Sequence, residues 1–404
     1  MIRLSTSWMY QQSLTTMLDQ QGSLAATQNQ VSSGQRINLA SDDPSGAAQV
    51  VSLNHILAST AQYSSNINDA NARLSTESNT LSSFNSLLDQ ARSMAVQGIN
   101  GSLSASDRQD MATQLTQIRA QLVQLANTTD ASGDALFAGT STTSTPFTLN
   151  SDGSVSYAGN SDNQMTTIGN GLRIPNSDAG AGLFMNIPAG NGSFVASAAA
   201  GNTGTLLVGA TSVTDSNAWK AATASGPANY AISFDAAGNW TATDASHGNA
   251  VVASGSYQDG GSISFNGMTI ALSGTPAAGD SVSVNSGKTQ DVFGTLTNMI
   301  NALNGSGGDT QLNNTMSRQI ESLDRAQGQL SSTQTDVGGR LNRLTQQQSN
   351  YSNLTLTYQT TLSGVQDTDM ASAISKLMLQ STALQASQQT FAKVQGMSLF
   401  DYLK

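Results

Sequence analysis

Apolar residues at the two ends of the chain repeat with the spacing of paired helices. Near the N-terminus, residues at alternating steps of four and three form one helical stripe: Tyr10, Leu14, Met17, Gln21, Leu24, Gln28 and Val31. A second stripe near the C-terminus contains Met370, Ile374, Leu377, Ser381, Leu384, Gln388, Phe391 and Gln395. Such spacing lays one side of each helix against a partner helix. Because the stripes have similar lengths, we predict that the two terminal helices pair.

Polar side chains such as Gln21 and Ser381 interrupt both stripes. Burying an apolar side chain stabilises by roughly 1.5–3 kcal/mol, whereas ordering one residue's backbone costs roughly 1–2 kcal/mol, so a lone pair would be marginally stable. Leu18 and Met378 widen the apolar faces beyond what one partner helix covers. Two interpretations stay open, an ordinary intramolecular pair and terminal helices that fold fully only against other subunits. The second makes the apolar stripe residues candidate subunit contacts: Tyr10, Leu14, Met17, Leu24, Val31, Met370, Ile374, Leu377, Leu384 and Phe391.

Helical patterns continue inward from both ends and enclose a stretch of different character. After Asp43-Pro44, which suits a helix N-terminus, one apolar stripe continues through residues 53–95. A matching stripe, with an apolar residue at every seventh position, follows residues 316–365. Between them, residues 140–287 alternate in short runs broken by Gly, Ser, Thr and Asn, with a tight turn at Asn266-Gly267. This pattern indicates half-buried β-strands.

The predicted fold class is therefore α+β. We expect a long antiparallel helical coiled coil or bundle built from both chain ends, with an inserted β-rich domain in the middle. Five segments follow from the pattern: terminal helix segments at 1–40 and 365–404, rod segments at 41–139 and 289–364, and the insertion at 140–288.

Composition narrows the possible partners. Only 10% of the 404 residues are charged and the net charge is -10, which leaves no basic field to hold nucleic acid or an anionic membrane. The absence of cysteine excludes disulfides, thiolate nucleophiles and Cys-ligated metals. We find no run of about 20 apolar residues and no apolar core of a cleavable signal peptide. The protein is expected to be soluble when made and, if exported, to use another route.

Few residues could carry catalysis. The two histidines, His55 in a predicted helix and His247 in a turn region, stand alone. The paired carboxylates at Asp42 and Asp43, and those at Asp367 and Asp369, precede helices and are interpreted as caps that face the positive helix end. The glycine-rich stretches lack the spacing of nucleotide-binding loops. We predict no enzyme activity, no cofactor and no metal site.

Several motifs resemble the bacterial flagellin family. The stretch from Ser33-Gly34-Gln35-Arg36-Ile37-Asn38 to Ser41-Asp42-Asp43-Pro44-Ser45-Gly46 is similar to the N-terminal signature of that family. The opening Ile2-Arg3-Leu4-Ser5-Thr6 and the C-terminal Gln366-Asp367-Thr368-Asp369 are similar to it as well. Together these motifs mark both helical ends and leave the insertion unmatched.

Three further passages resemble the family members at the junction between hook and filament. Leu136-Phe137-Ala138-Gly139-Thr140 is similar to a Leu-Phe-x-Gly-Thr passage of the junction members, and so is the ending at 397–403. The segment at 274–280, Gly-Thr-Pro-Ala-Ala-Gly-Asp, resembles one in the inserted domains of hook-associated proteins.

The resemblance implies a structural, non-enzymatic part of the extracellular bacterial flagellum. Such a protein forms an adaptor ring that joins the hook to the flagellin filament and is required for filament assembly and motility. The implied partners are further copies of itself, the hook-proximal junction protein, flagellin and an export chaperone at the C-terminal segment. The implied route of secretion is flagellar type III export. Two alternatives stay open: a filament flagellin, or a surface coiled-coil binding module or adhesin whose β domain recognises a host glycan or protein.

Overall fold

The computed structural model describes residues 6–101, 103–141, 145–305 and 307–396. In this part of the chain the α-helices are α1 Thr6–Ser33, α2 Pro44–Gly98, α3 Ala105–Ala126, α4 Ser216–Ala222, α5 Val292–Asn304, α6 Asp309–Gln366 and α7 Met370–Gly396. The chain divides into two compact units. The terminal unit takes its residues from Met1–Ser65 and Gln346–Lys404, and the central unit is Asn66–Thr345.

Local sequence signals set the helix ends. After α1, Gly34 has a φ of +71°, a backbone conformation that glycine adopts without steric cost. Asp43 caps α2, because its Oδ1 accepts a hydrogen bond from the Gly46 N–H at 2.9 Å. Pro44 is the first residue of α2, where no backbone donor is needed. The predicted end of α1 and start of α2 are confirmed.

Helices from opposite ends of the sequence pack antiparallel. In the terminal unit, Tyr63 of α2 stacks on Tyr351 of α6 with ring centroids 5.9 Å apart. In the central unit, Arg92 Nε of α2 lies 2.6 Å from Asp324 Oδ1 of α6. The apolar stripes in the two helices therefore pair as predicted, and the α+β fold class is confirmed.

The inserted region is built from short antiparallel strands. They are β1 Phe147–Leu149, β2 Val155–Tyr157, β3 Met165–Gly169, β4 Leu172–Pro175, β5 Ile187–Pro188, β6 Phe194–Ala198, β7 Leu207–Val213, β8 Asn229–Phe234, β9 Asn239–Asp244, β10 Ala250–Ser256, β11 Ser262–Phe265, β12 Met268–Ser273, β13 Ser281–Ser286 and β14 Thr289–Gln290. The larger sheets have the orders β10-β9-β8-β13-β6 and β11-β12-β7. Both contribute side chains to one apolar core, including Ile232, Ile270 and Val282.

The β11–β12 hairpin shows how sequence fixes the register of these strands. Asn266 and Gly267 have φ values of 50° and 76°, the positive angles that a two-residue hairpin turn needs. The turn pairs Phe265 with Met268 and places Phe265, Met268 and Ile270 in the core. The predicted turn at Asn266-Gly267 is confirmed.

A second core joins the insertion to the helices of the central unit. A short π-helix at Ala181–Met185 carries Phe184, whose ring stacks on Phe84 of α2 at a centroid distance of 4.5 Å. Phe293 of α5 packs against both rings at 6.3 Å. Because all three side chains are fully buried, the helices and the insertion share one apolar interior.

Beside this core lies a buried carboxyl, Glu77 of α2. Its Oε1 accepts a hydrogen bond from the Asp178 N–H at 3.1 Å, and its Oε2 has no partner among the described residues. Arg340 of α6 donates to both carboxylate oxygens of Asp178, at 2.8 and 2.9 Å. Burial, and then the neighbouring Asp178 carboxylate, raise the pKa of Glu77 to about 8. Glu77 is therefore mostly protonated at pH 7, and Asp178 pairs with Arg340.

This arrangement predicts a pH-dependent stability. The pKa of Glu77 is raised above its unfolded value of 4.5, so folding takes up a proton between the two values. The contribution of Glu77 to the free energy of unfolding is complete below about pH 4.5. It is lost as the pH rises towards 8, by up to roughly 5 kcal/mol. The substitution Glu77→Gln keeps the shape of the side chain but removes its titratable carboxyl group. In urea unfolding, the stability of the wild type relative to Glu77→Gln should fall between pH 5 and pH 8.5. A constant difference across that range would contradict the protonated Glu77.

Candidate subunit interface

The two terminal helices pack against each other within the terminal unit. Tyr10 near the start of α1 meets Phe391 near the end of α7, with ring centroids 5.0 Å apart and planes at 63°. At the other end of the pair, the residues after α1 hydrogen-bond to those before α7, so the two helices run antiparallel. The pair thus forms inside one chain, as the intramolecular interpretation requires.

The structure distributes the ten candidate contact residues over three environments. Leu384 is buried; the half-buried ones are Met17, Leu24, Val31, Leu377 and Phe391; the exposed ones are Tyr10, Leu14, Met370 and Ile374. The pair therefore covers the later apolar positions of each predicted stripe and leaves the first two positions of each stripe open to solvent.

The buried seam differs from the predicted one at some positions of both helices. Thr27 and Ala373 are buried, whereas the predicted neighbours Gln28 and Ile374 are exposed. Thr27 can be buried because its hydroxyl donates to the Ser23 carbonyl at 3.0 Å. Small side chains at these positions let the helices approach closely, which the apolar pattern alone did not indicate.

The exposed face of the pair is unusually apolar. On α1, Leu14 and Leu18 lie one turn apart, and Leu18 is 58% exposed. On α7, Ile374 and Met378 are likewise one turn apart, and Met378 and Leu379 are 67% and 73% exposed. Covering each such side chain would stabilise by roughly 1.5–3 kcal/mol. These five exposed side chains, here called the open face, have the character of binding surface for other protein.

Residues 34–36 and 365–368, here called the clasp, connect the terminal pair to α2 and α6. The Arg36 N–H donates to the Gln366 carbonyl at 2.7 Å, and the Thr368 N–H donates to the Gly34 carbonyl at 2.9 Å. Arg36 also donates through Nη2 to the Val365 carbonyl at 2.7 Å and lies 3.3 Å from Asp43. The Gly46 N–H and Arg36 lower the pKa of Asp43. The clasp therefore fixes both connectors of the terminal unit to each other.

Polar groups outside the clasp were the other candidates for chemistry. Among the described residues there is no group of three or more His, Cys, Asp or Glu side chains that could hold a metal ion. His55 is exposed on α2, and His247 Nδ1 lies 2.8 Å from Asp244 Oδ2 in an exposed turn. Within the same part of the chain, no helix is long and apolar enough to cross a membrane. The opening at 2–5 and the ending at 397–403, which carried part of the resemblance, lie outside the described residues.

One substitution tests the clasp. Arg36→Met keeps the apolar stem but removes the charge-assisted hydrogen bond to Val365, at a cost of about 1–2 kcal/mol. The amides of Arg36 and Thr368 should then exchange with deuterium faster, as measured by mass spectrometry. Lys376→Met, a matched change on the exposed side of α7, is the control. Equal exchange rates in both variants would contradict a holding role for Arg36.

Three sequence families match this chain. The bacterial flagellin N-terminal helical region matches residues 4–142, and the bacterial flagellin C-terminal helical region matches residues 320–403. Between them, residues 197–286 match the D2-like domain of flagellar hook-associated protein 1. The matches at both ends agree with the resemblance in the sequence motifs.

Individual relatives and solved structures give the same picture. Flagellar hook-associated protein 3 of Salmonella typhimurium and that of Escherichia coli are each 37% identical over 146 residues, 36% of this chain. The chain spans about half the length of these curated relatives, 46% in each case. The crystal structure of Xanthomonas campestris FlgL is 32% identical with a TM-score of 0.69, covering 77% of this chain and 99% of that one. Flagellar hook-associated protein 3 of Legionella pneumophila is 29% identical with a TM-score of 0.71, covering 78% and 98%.

Proposed function

Because this chain belongs to the bacterial flagellin family, in the group of FlgL-type hook-associated proteins, we propose that it is a structural adaptor between the flagellar hook and filament. In this role it forms a ring of identical copies between the hook-proximal junction protein and flagellin. It is required for filament assembly and motility, and it catalyses no reaction.

The open face is the observation that carries this proposal. A helix pair with a partly polar seam and exposed Leu18, Met378 and Leu379 gains stability when another helix covers it. Neighbouring subunits of an axial structure supply such helices at high local concentration. All ten candidate residues then contribute, the buried Leu384 and the half-buried ones by holding the pair together and the exposed ones by contacting adjacent copies.

The segment boundaries belong to the same proposal. Residues 1–40 and 365–404 would be the D0-like terminal segments, 41–139 and 289–364 the D1-like rod, and 140–288 the D2-like insertion. Marginally stable terminal helices suit passage through the flagellar type III export channel in an unfolded state. A chaperone would hold the apolar residues of the C-terminal segment before export, and the assembled protein would lie outside the cell in the flagellum.

A filament flagellin is the second candidate, because flagellins also match the chain. The flagellin of Listeria monocytogenes is 33% identical over 107 residues, 26% of this chain. The match of the insertion to a hook-associated protein favours the junction role. Purified subunit that polymerises alone into long filaments at neutral pH would favour the flagellin instead.

A charge in the seam should abolish incorporation. Leu377→Asp places a carboxylate at a half-buried position between the helices, at a cost of roughly 2–3 kcal/mol to the terminal pair. Cells carrying it should show hooks without filaments and shed flagellin into the medium, as seen by electron microscopy and immunoblotting.

The control for that experiment is Val251→Asp, an equally large change on the exposed strand β10 of the insertion. It should leave filaments and swimming unchanged. Circular dichroism should show the central unit still folded in both variants. Normal filaments in Leu377→Asp cells would overturn the proposed interface.

Assembly should also change the dynamics of the terminal helices. Amides in α1 and α7 should exchange with deuterium quickly in dilute monomer and slowly in isolated hook-filament structures, because neighbouring copies then cover the open face. The amides of buried β8 serve as an internal reference that is slow in both states. Strong protection of α1 and α7 in the monomer would contradict assembly-coupled folding.

A further inference from the structure

A groove of about 550 Å³ lies in the central unit between strand β7 and helix α6. Gly209, Ala210 and Thr211 of β7 form one wall, where the pairing with β12 shifts register at a β-bulge. Arg318 and Glu321 stand on the α6 wall. Bulges often aim a strand at a functional surface, and a cavity of this size suits a small ligand.

Arg318 is held in this groove with much of its hydrogen-bonding capacity unused. Its Nη1 lies 2.6 Å from Glu321 Oε2, and the other Glu321 oxygen accepts from the Thr211 hydroxyl at 2.9 Å. The Nε of Arg318 is buried without a partner, and Nη2 makes no hydrogen bond to any residue that the structure describes. Only 13% of the side chain is exposed. Buried guanidinium donors of this kind normally have partners.

The neighbouring side chains that the structure describes add donors, and none of their acceptors bonds to Nε or Nη2 of Arg318. Asn191 Nδ2 is a second buried donor that lacks a partner in the described chain. Arg325 donates to the backbone carbonyls of Gly190 and Asn191 and to no carboxylate in the same part of the chain. Glu321 already accepts on both oxygens, and Asp324 pairs with Arg92. The groove therefore offers N–H groups to a ligand, with the charges of Arg318 and Arg325 set beside those of Glu321 and Asp324.

The charges and the walls restrict the ligand further. Glu321 and Asp324 would repel a doubly charged anion such as phosphate, so one negative charge fits best. Ala210 and Ile320 add apolar surface on the two walls. Burial lowers the pKa of Arg318, with Glu321 acting in the opposite direction, which means that the guanidinium is incompletely solvated or paired. A second carboxylate in the groove would relieve this deficit.

We propose that the groove binds a carboxylate group, which accepts hydrogen bonds from the Nη2 end of Arg318 while the aliphatic body of the ligand rests on Ala210 and Ile320. This site is separate from the open face and does not depend on the proposed junction function. The carboxylate can come from a small free ligand or from an acidic side chain of a neighbouring copy, and the chemistry at Arg318 is the same in both cases.

Titration of the full chain with butyrate tests the site, with butyramide as the neutral probe of the same size. NMR of the arginine Nε–H groups should show a saturable shift of one resonance with butyrate and none with butyramide. Arg318→Lys keeps the charge but loses the planar fork and should weaken binding about tenfold. Arg343→Lys, on the exposed side of the same helix, should bind like the wild type.

A second variant keeps the proposal testable if Arg318→Lys does not fold. Ala210→Trp, at an exposed position of the bulge, should block the groove and leave the Arg318–Glu321 pair intact. Two results would overturn the proposal. In the first, butyrate binds both Ala210→Trp and Arg318→Lys as it binds the wild type. In the second, butyrate shows no saturable binding and neither variant changes the self-association of the chain.

Sedimentation velocity separates the two sources of the carboxylate. Saturable butyrate binding by a chain that stays monomeric assigns the site to a free ligand. Self-association that butyrate suppresses and Arg318→Lys abolishes assigns it to an acidic side chain of a neighbouring copy.

Discussion

The structure depends on antiparallel packing between helices that are far apart in sequence. α2 pairs with α6 through contacts such as Tyr63 with Tyr351, and α1 pairs with α7 through Tyr10 and Phe391. Closing such long loops costs entropy that many apolar contacts must offset. The contacts are therefore distributed along the helices. The residues between α3 and α5 form a separate β-rich insertion.

The two units use this packing differently. In the central unit the seam is filled by large apolar side chains, and Phe84, Phe184 and Phe293 are fully buried. In the terminal unit the seam of α1 and α7 includes Thr27 and Ala373, and larger apolar side chains point outward. A stable centre with incomplete ends is the arrangement expected of a subunit that matures on assembly. The clasp at Arg36 matters here because it joins the incomplete pair to α2 and α6.

Buried polar groups give the central unit its specific connections. Glu77, Asp178 and Arg340 connect α2, the insertion and α6, and the network of Arg318, Glu321 and Thr211 connects α6 with β7. Each network costs desolvation and leaves donors or acceptors unpaired. In one case a bound proton compensates for this, and in the other we propose a carboxylate ligand.

The sequence by itself determined the helix pattern, the α+β class, the helix cap at Asp43 and the hairpin turn at Asn266-Gly267. These features depend on local chemistry and on residue spacing within one helix or strand, so they can be derived without knowing what that helix or strand packs against. The spacing also identified the correct helices of the terminal pair. Only the tertiary structure decided which residues form the buried seam between α1 and α7. Gln28 and Thr27 are equally compatible with a heptad repeat, and the close packing of the two helices places Thr27 rather than Gln28 in the seam. The same holds for Glu77, whose protonation depends on its burial and on Asp178, a residue distant in sequence that folding brings beside it.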